Sequence, residues 1–336
     1  MAEPGLTEIA TTTLRNRRGE FTNNVENNNP VSRAMKEKET FEMEEGGRTL
    51  ISEVTYAENG TFTRYSDYQP ISLVRAPVLT AFENDWKQFA GSIQISGREK
   101  RMNAGTLGKI KLLKGRIVNL EYTLENYFNA DLISDGTADG GLQMGGLKYW
   151  ISTTPTVGTV GGIDRSVTAN AWARNFKFDT TNDTTGGAPG AGATTAANVK
   201  TYLNWAINSV TRGTDGVDVL LAGQKFFEAA QGAMQAIQRI TSDSPKKAKA
   251  GYREIEYEGI PMAMCGGLTF GSQTQILTTS CYGVNCRHTK VRIHQDAYME
   301  PLPQVQSINQ DAEAKIVVFM GNVTNDLPAT NFVIFD

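Results

Sequence analysis

Residues 52–69 read SEVTYAENGTFTRYSDYQ. Asn59-Gly60 stands between two β-prone runs, a strong short-range signal for a two-residue type I′ turn because both residues tolerate positive φ. Pairing outward from that turn sets Glu58 opposite Thr61, Tyr56 opposite Thr63, Val54 opposite Tyr65 and Ile51 opposite Tyr68. One face then carries Tyr56, Val54 and Tyr65 among threonines. The other carries Ala57, Phe62, Ile51 and Tyr68 around Glu53 and Arg64, which meet diagonally. Neither face is dry. A lone two-stranded ribbon is marginal in water, so this one must lie on another surface.

The segments on either side differ sharply. Residues 1–45 mix charges of both signs (RNRR, KEKE, EMEE) around NNVENNNP, without the apolar repeat that would offset the entropy of ordering them. They read as a mobile arm. After the ribbon, VLTAFENDWKQFAGSIQISG (78–97) begins and ends like strand. Residues 103–136 then place Ile110, Leu113, Ile117, Leu120, Leu124 and Phe128 at steps of three and four, which predicts the longest helix of the chain.

Residues 134–197 are dominated by Gly, Thr and Asn, with isolated anchors at Trp150, Trp172 and Phe176. A second helix is predicted over 195–213 from the stripe Val199, Tyr202, Leu203, Ala206, Ile207 and Val210, capped by Thr195 and stopped by Gly213. A buried strand at 217–223, a helix over 226–241, a basic loop SPKKAKAGYR, strand-like REIEYEGIPMAM and ILTTS, and two apolar strands in KIVVFMGNVTNDLPATNFVIFD complete the pattern. Helices and strands that do not alternate regularly indicate an α+β fold.

At 336 residues the chain has room for two domains or one large domain with extensions. The 33 Lys and Arg against 36 Asp and Glu leave a net charge of −3, which removes the surplus of cations by which nucleic-acid binders neutralise phosphates. Contact with DNA is therefore expected to be local and non-specific. The N-terminus lacks an apolar signal region and no run is long enough to span a bilayer, so a soluble protein made in the cytosol, with no membrane partner, is expected.

Candidate chemistry is sparse. The two histidines, His288 and His294, fit neither a zinc-protease nor a nucleophile-elbow pattern. Cys281, Cys286 and His288 with Cys265 offer four soft ligands. Their single CX4C spacing and lone cysteine read better as small buried thiols than as a metal site. The glycine pairs match no phosphate loop. The acid pairs Asp135/Asp139 and Glu254/Glu256 leave a hydrolase as a remote alternative. No catalytic residue, cofactor or metal is predicted.

The long helix has an unusual charge order. Between Arg98 and Arg116 there are seven basic residues and one acid, whereas Glu121, Glu125, Asp131 and Asp135 follow. This runs against the helix macrodipole, which favours acids at the N-terminus and bases at the C-terminus. A solvated face is one reading. Neutralisation by neighbouring copies, or by a polyanion at Lys109, Lys111, Lys114 and Arg116, is the other.

The order of arm, ribbon, long helix, loop-rich insertion and terminal strands resembles the major capsid protein of tailed bacteriophages, whose fold is shared with the herpesvirus capsid floor and encapsulins. The resemblance runs from about residue 46 to the end, through YAENGTFTRYSDYQ, FENDWKQFAGSIQISGRE, ISDGTADGG with GGLKYWI, GTVGGIDR with WARN at 172–175, and QAIQRIT. It implies an N-terminal arm (1–45), an extended hairpin loop (46–78), a peripheral domain with its spine helix (79–145 and 301–336) and an axial domain (146–300).

By the same resemblance the chain is a structural, non-enzymatic protein. It is expected to assemble in the host cytoplasm into hexamers and pentamers of an icosahedral virion shell around double-stranded DNA, with scaffold, portal and decoration proteins as partners. An encapsulin-like nanocompartment is the alternative. Tyr56, Asn59, Gly60, Phe62, Arg64, Tyr65 and Tyr68 become the expected subunit interface, and Lys109, Lys111, Lys114 and Arg116 the expected interior contact with DNA or scaffold. Some related capsids are joined covalently through a lysine. Residues 49–86 contain none, so no such crosslink is expected in the loop.

Overall fold

A computed structural model describes residues 30–71, 73–74, 77–102, 106–183, 185–190, 192–235, 254–265, 276–303, 305–306 and 312–336, and the fold is α+β. The first element, α1 (Pro30–Glu37), lies within the expected mobile arm. Proline suits a helix start because its missing N–H would have no intrahelical partner there. Val31 and Met35, one helical turn apart, are both buried, and Arg33 pairs with Glu37 at 3.0 Å. Strand β1 (Phe41–Glu44) follows. The expectation that 30–45 lack a stable fold is therefore corrected: two apolar residues at helical spacing and an acidic strand find distant partners. Residues 1–29 lie outside the described residues.

Strands β2 (Leu50–Thr55) and β3 (Leu79–Asn84) form an antiparallel pair in which Ile51 faces Glu83 and Val54 faces Thr80. The register expected from Asn59-Gly60, Val54 on Tyr65 and Ile51 on Tyr68, is not formed. Neither Asn59 nor Gly60 has the positive φ of a type I′ turn. The turn survives locally: Phe62 N–H donates to Asn59 C=O at 3.2 Å, and Asn59 Oδ1 accepts from Thr61 N–H at 3.1 Å and its hydroxyl at 2.7 Å. The physical reason is burial. Pairing β2 with β3 puts Leu50, Val54 and Phe82 inside, which the ribbon alone could not do.

Strand β4 (Lys87–Ser96) precedes α2 (Thr106–Ile133), 28 residues or about 42 Å long. Ile117, Leu120, Leu124 and Phe128 of its predicted stripe are buried, against Ile93 and Ile95 of β4 within one core. Strand β5 (Phe176–Asp179) follows the loop-rich insertion, and then comes α3 (Val199–Val210), whose six predicted core positions are all buried. The helix starts after Asn198 rather than Thr195. Thr195–Asn198 close instead as a turn, with Thr195 N–H donating to Asn198 Oδ1 at 2.7 Å.

Further along the chain come β6 (Val219–Ala222), α4 (Gln224–Gln235), β7 (Glu254–Tyr257), β8 (Ile260–Met264), β9 (Cys281–Val284), β10 (Thr289–Pro301), β11 (Ala312–Asn325) and β12 (Phe332–Phe335), besides shorter elements. ILTTS is not a strand, since 276–280 turn into β9. The end of the predicted helix over 226–241, beyond 235, and the basic loop fall outside the described residues.

Two sheets organise the chain. In the first, β11 pairs antiparallel with β10 on one edge and β4 on the other, while β1 adds parallel to β10. Lys290 and Arg292 of β10 lie 3.4–3.7 Å from Glu42 and Glu44, which explains why an acidic strand settles there. In the second, the order is β5-β12-β9-β6-β8-β7. Its inner strands β6, β9 and β12 read as continuous apolar runs (VLLA, CYGV, FVIF) because both faces are covered. Leu220 and Ala222 face the α3–α4 side, whereas Val219 and Leu221 join the core around α2. The two terminal strands therefore separate, with β11 in the first sheet and β12 second from one edge of the second.

Candidate assembly surface

Between β2 and β3 the chain leaves the body as a long loop over residues 56–78. Its root is tightly built. Tyr56 N–H donates to Val78 C=O at 3.1 Å and its hydroxyl to Pro77 C=O at 2.9 Å. The Tyr56 ring stands 5.7 Å from Trp172, which is 5.4 Å from Phe82, which in turn meets Trp150 at 5.3 Å.

Gly161 closes this cluster. Its φ is +54°, a conformation that favours glycine, and a Cβ there would come within 2.9 Å of Phe82 Cβ. Its N–H donates to the Tyr149 hydroxyl at 2.9 Å, and its C=O accepts from Glu83 N–H at 3.0 Å. Buried Arg165 buttresses Trp150 by donating to its carbonyl at 2.7 Å, and burial pushes its pKa down to about 10. At the opposite end of the β2–β3 pair, Trp86 Nε1–H donates to Gly47 C=O at 3.0 Å.

Beyond the root the loop turns outward. Phe62 is 79% exposed, Tyr65 63%, Tyr68 100%, Leu73 96% and Val74 72%. Long loops without secondary structure are uncommon in compact domains and are usually functional, and contiguous exposed apolar groups mark interaction sites. Of the seven expected interface residues, Asn59, Gly60, Phe62, Arg64, Tyr65 and Tyr68 lie on this exposed part, while Tyr56 belongs to the half-buried root. Ile71, Leu73 and Val74 were not anticipated. Their signal is an apolar run between Pro70 and Pro77, residues that cannot donate to a strand ladder.

The expected interior contact divides. The Arg116 guanidinium lies 2.6 Å from Glu99 and also donates to Gln94 C=O, so its charge is met within the chain. The side chains of Lys109, Lys111 and Lys114 lie outside the described residues.

Elsewhere, a groove of about 350 Å³ runs between β4 and α2, floored by Phe89, Leu120, Leu124 and Met144. Asp131 lines it, and burial raises its pKa to about 6 although Gln143 donates to it at 2.9 Å. Of the acid pair Asp135/Asp139, Asp135 is held below the usual carboxylate range by the hydroxyl and N–H of Thr137 in its own loop. The side chain of Glu254 lies outside the described residues. Cys265, Cys281 and Cys286 are buried free thiols, and burial pushes Cys265 and Cys286 up to about 12, which keeps them protonated and unreactive. Among the described residues no helix is long and apolar enough to cross a membrane.

No family model matches the chain, and no curated protein sequence matches it. Solved structures do. The chain is similar to the capsid asymmetric unit of cyanophage A-1(L), with a TM-score of 0.60 and 13% identity over 88% of this chain and 90% of that one. It is similar to the capsid of a native GTA particle, with a TM-score of 0.55 and 12% identity over 90% of each chain. The capsid of an empty GTA particle matches with a TM-score of 0.51 and 11% identity, over 89% of this chain and 94% of that one. The fold is that of tailed-phage major capsid proteins, with a stalked apolar loop projecting from it.

Proposed function

We propose that the protein is the major capsid protein of a tailed phage, assembling as hexamers and pentamers into the icosahedral shell of a virion. The observation that carries this reading is the loop over 56–78. A rigid aromatic root holds at least five large apolar or aromatic side chains in solvent, on a fold used by phage capsids. A single copy offers them no cover, whereas a neighbouring copy presents the same surfaces in repeating order.

In this reading, residues 1–45 are the arm, though α1 already packs against α2, β8 and β6, and β1 pairs with β10. Residues 46–78 are the extended loop, 79–145 and 301–336 the peripheral domain, and 146–300 the axial domain, with the final strand β12 lent to the axial sheet. The loop interface comprises Asn59, Gly60, Phe62, Arg64, Tyr65 and Tyr68 together with Leu73 and Val74. Lys109, Lys111, Lys114 and Arg116 are the candidates for non-specific contact with packaged DNA or a scaffold protein, Arg116 being also paired with Glu99. Scaffold, portal and decoration proteins are the expected partners, assembly takes place in the host cytoplasm, and the protein has no catalytic role.

Negative-stain microscopy and light scattering of the purified full chain test the proposal. Closed particles tens of nanometres wide are expected. A stable monomer with the loop folded onto its own body would overturn it.

A further inference from the structure

Two segments cross between the sheets side by side: 285–288, from β9 to β10, and 326–331, from β11 to β12. They are laced together, with Asn285 N–H donating to Asn331 Oδ1 at 2.7 Å and Asp326 N–H to His288 C=O at 3.3 Å. His288 Nδ1 lies 2.8 Å from Asp326 Oδ1 in the second crossing. Its Nε2 lies 2.7 Å from Asp215 Oδ2, in the turn that leads from α3 to β6.

That turn is closed by reciprocal bonds between Arg212 and Asp215, at 2.7 and 3.1 Å, and Asp215 also accepts from Asn285 Nδ2 at 3.0 Å. A neutral imidazole has one N–H and one lone pair. It can satisfy one of these carboxylates but must turn its lone pair on the other. Only the imidazolium donates to both.

We propose that His288 is a protonation-operated clasp at the junction of the two sheets: as imidazolium it ties the 326–331 crossing to the 212–215 turn, and on losing a proton it releases that turn. The charged groups around it are few. Asp326 and Asp215 face the ring, Arg287 reaches Asp215 at 3.7 Å but is largely exposed, and Asp218 is engaged by Cys286 N–H at 3.0 Å. Asp326 foremost, and then Asp215, raise the imidazole above its ordinary 6.5 against the opposing effect of burial.

The sign follows from this. A folded-state pKa above the unfolded one means that the clasp is complete below pH 6.5 and is lost as pH rises through the folded value. The junction is therefore looser in alkaline solution. The clasp belongs to the single chain and stands independently of the assembly proposed above.

The chain has two histidines, so His294→Gln leaves His288 as the sole imidazole in 15N NMR of the full-length protein. The expected titration midpoint lies above 6.5, with both ring nitrogens protonated below it, and Asp326→Asn moves it down. Hydrogen exchange of residues 211–217, corrected for intrinsic rates, should lose protection across the same midpoint in the wild type and show no such step in His288→Gln. A midpoint at or below 6.5, or wild-type protection without a step, overturns the proposal. If His288→Gln fails to fold, Asp326→Asn decides: an unchanged midpoint overturns it equally.

Discussion

Phe82 meets Trp150 edge-on, with ring centroids 5.3 Å apart, planes at 88° and both side chains fully buried. Edge-to-face pairs add to the energy of area burial because the positive ring edge meets the negative face. This contact sits where β3 crosses the 146–176 segment. It therefore fixes the direction in which the loop over 56–78 leaves the body, so an otherwise unsupported loop departs from a rigid base.

Removing the Phe82 ring should cost about 3–5 kcal/mol, the usual range for a buried aromatic replaced by alanine. Phe82→Ala should lower the denaturant midpoint of the full chain markedly. Phe62→Ala, at a 79% exposed position, should change fold stability by no more than about 0.5 kcal/mol. Similar losses in both variants would show that the loop is packed on its own body.

Phe62→Asp combined with Leu73→Asp should leave the circular dichroism spectrum of the chain unchanged, because neither side chain is buried. Particle yield should behave differently. An interface repeated around a shell multiplies a small loss per contact, so sedimentation should show about tenfold fewer particles, or worse, a tenfold change corresponding to roughly 1.4 kcal/mol. Unchanged particle yield would remove the loop from the assembly surface.

What was legible in the sequence was local. The stripes of α2 and α3 repeat at helical spacing, and helix bonds join near neighbours, so their core residues can be read directly. The partner of β2 is not a local matter. Val54 pairs with Thr80 because Phe82 can then enter the aromatic cluster of Trp150 and Trp172, whose positions depend on an insertion far along the chain. The Asn59-Gly60 preference is real as a turn but is outweighed by that burial. In the same way β1 is ordered by Lys290 and Arg292, and the Asp215–His288–Asp326 cluster joins three separate segments that no spacing rule connects.

A lysine nucleophile is absent from residues 49–86, so the loop cannot supply the amine of an isopeptide bond, and no such crosslink is expected there. Particles boiled in detergent should run as a single band at the 36.7 kDa chain or a trimmed form of it. Ladders or material held at the top of the gel would refute this.

Asp131 gives a stability effect whose sign is opposite to that of most carboxylates. Burial in the groove beside α2 raises its pKa from 3.8 to about 6, with Asp139 adding repulsion and the Gln143 amide opposing both. Between those pH values the folded chain holds a proton that the unfolded chain has lost, so stability falls as pH rises through this window. At roughly 1.4 kcal/mol per pKa unit, the full effect is on the order of 3 kcal/mol above pH 6. Asp131→Asn is nearly isosteric, and its amide oxygen can still accept from Gln143. The variant should match the wild type below about pH 4 and be more stable at pH 7, as read from denaturant midpoints at the two pH values. Equal midpoints at pH 7 would mean that the carboxylate is hydrated, because only loss of water from its charged form generates this penalty.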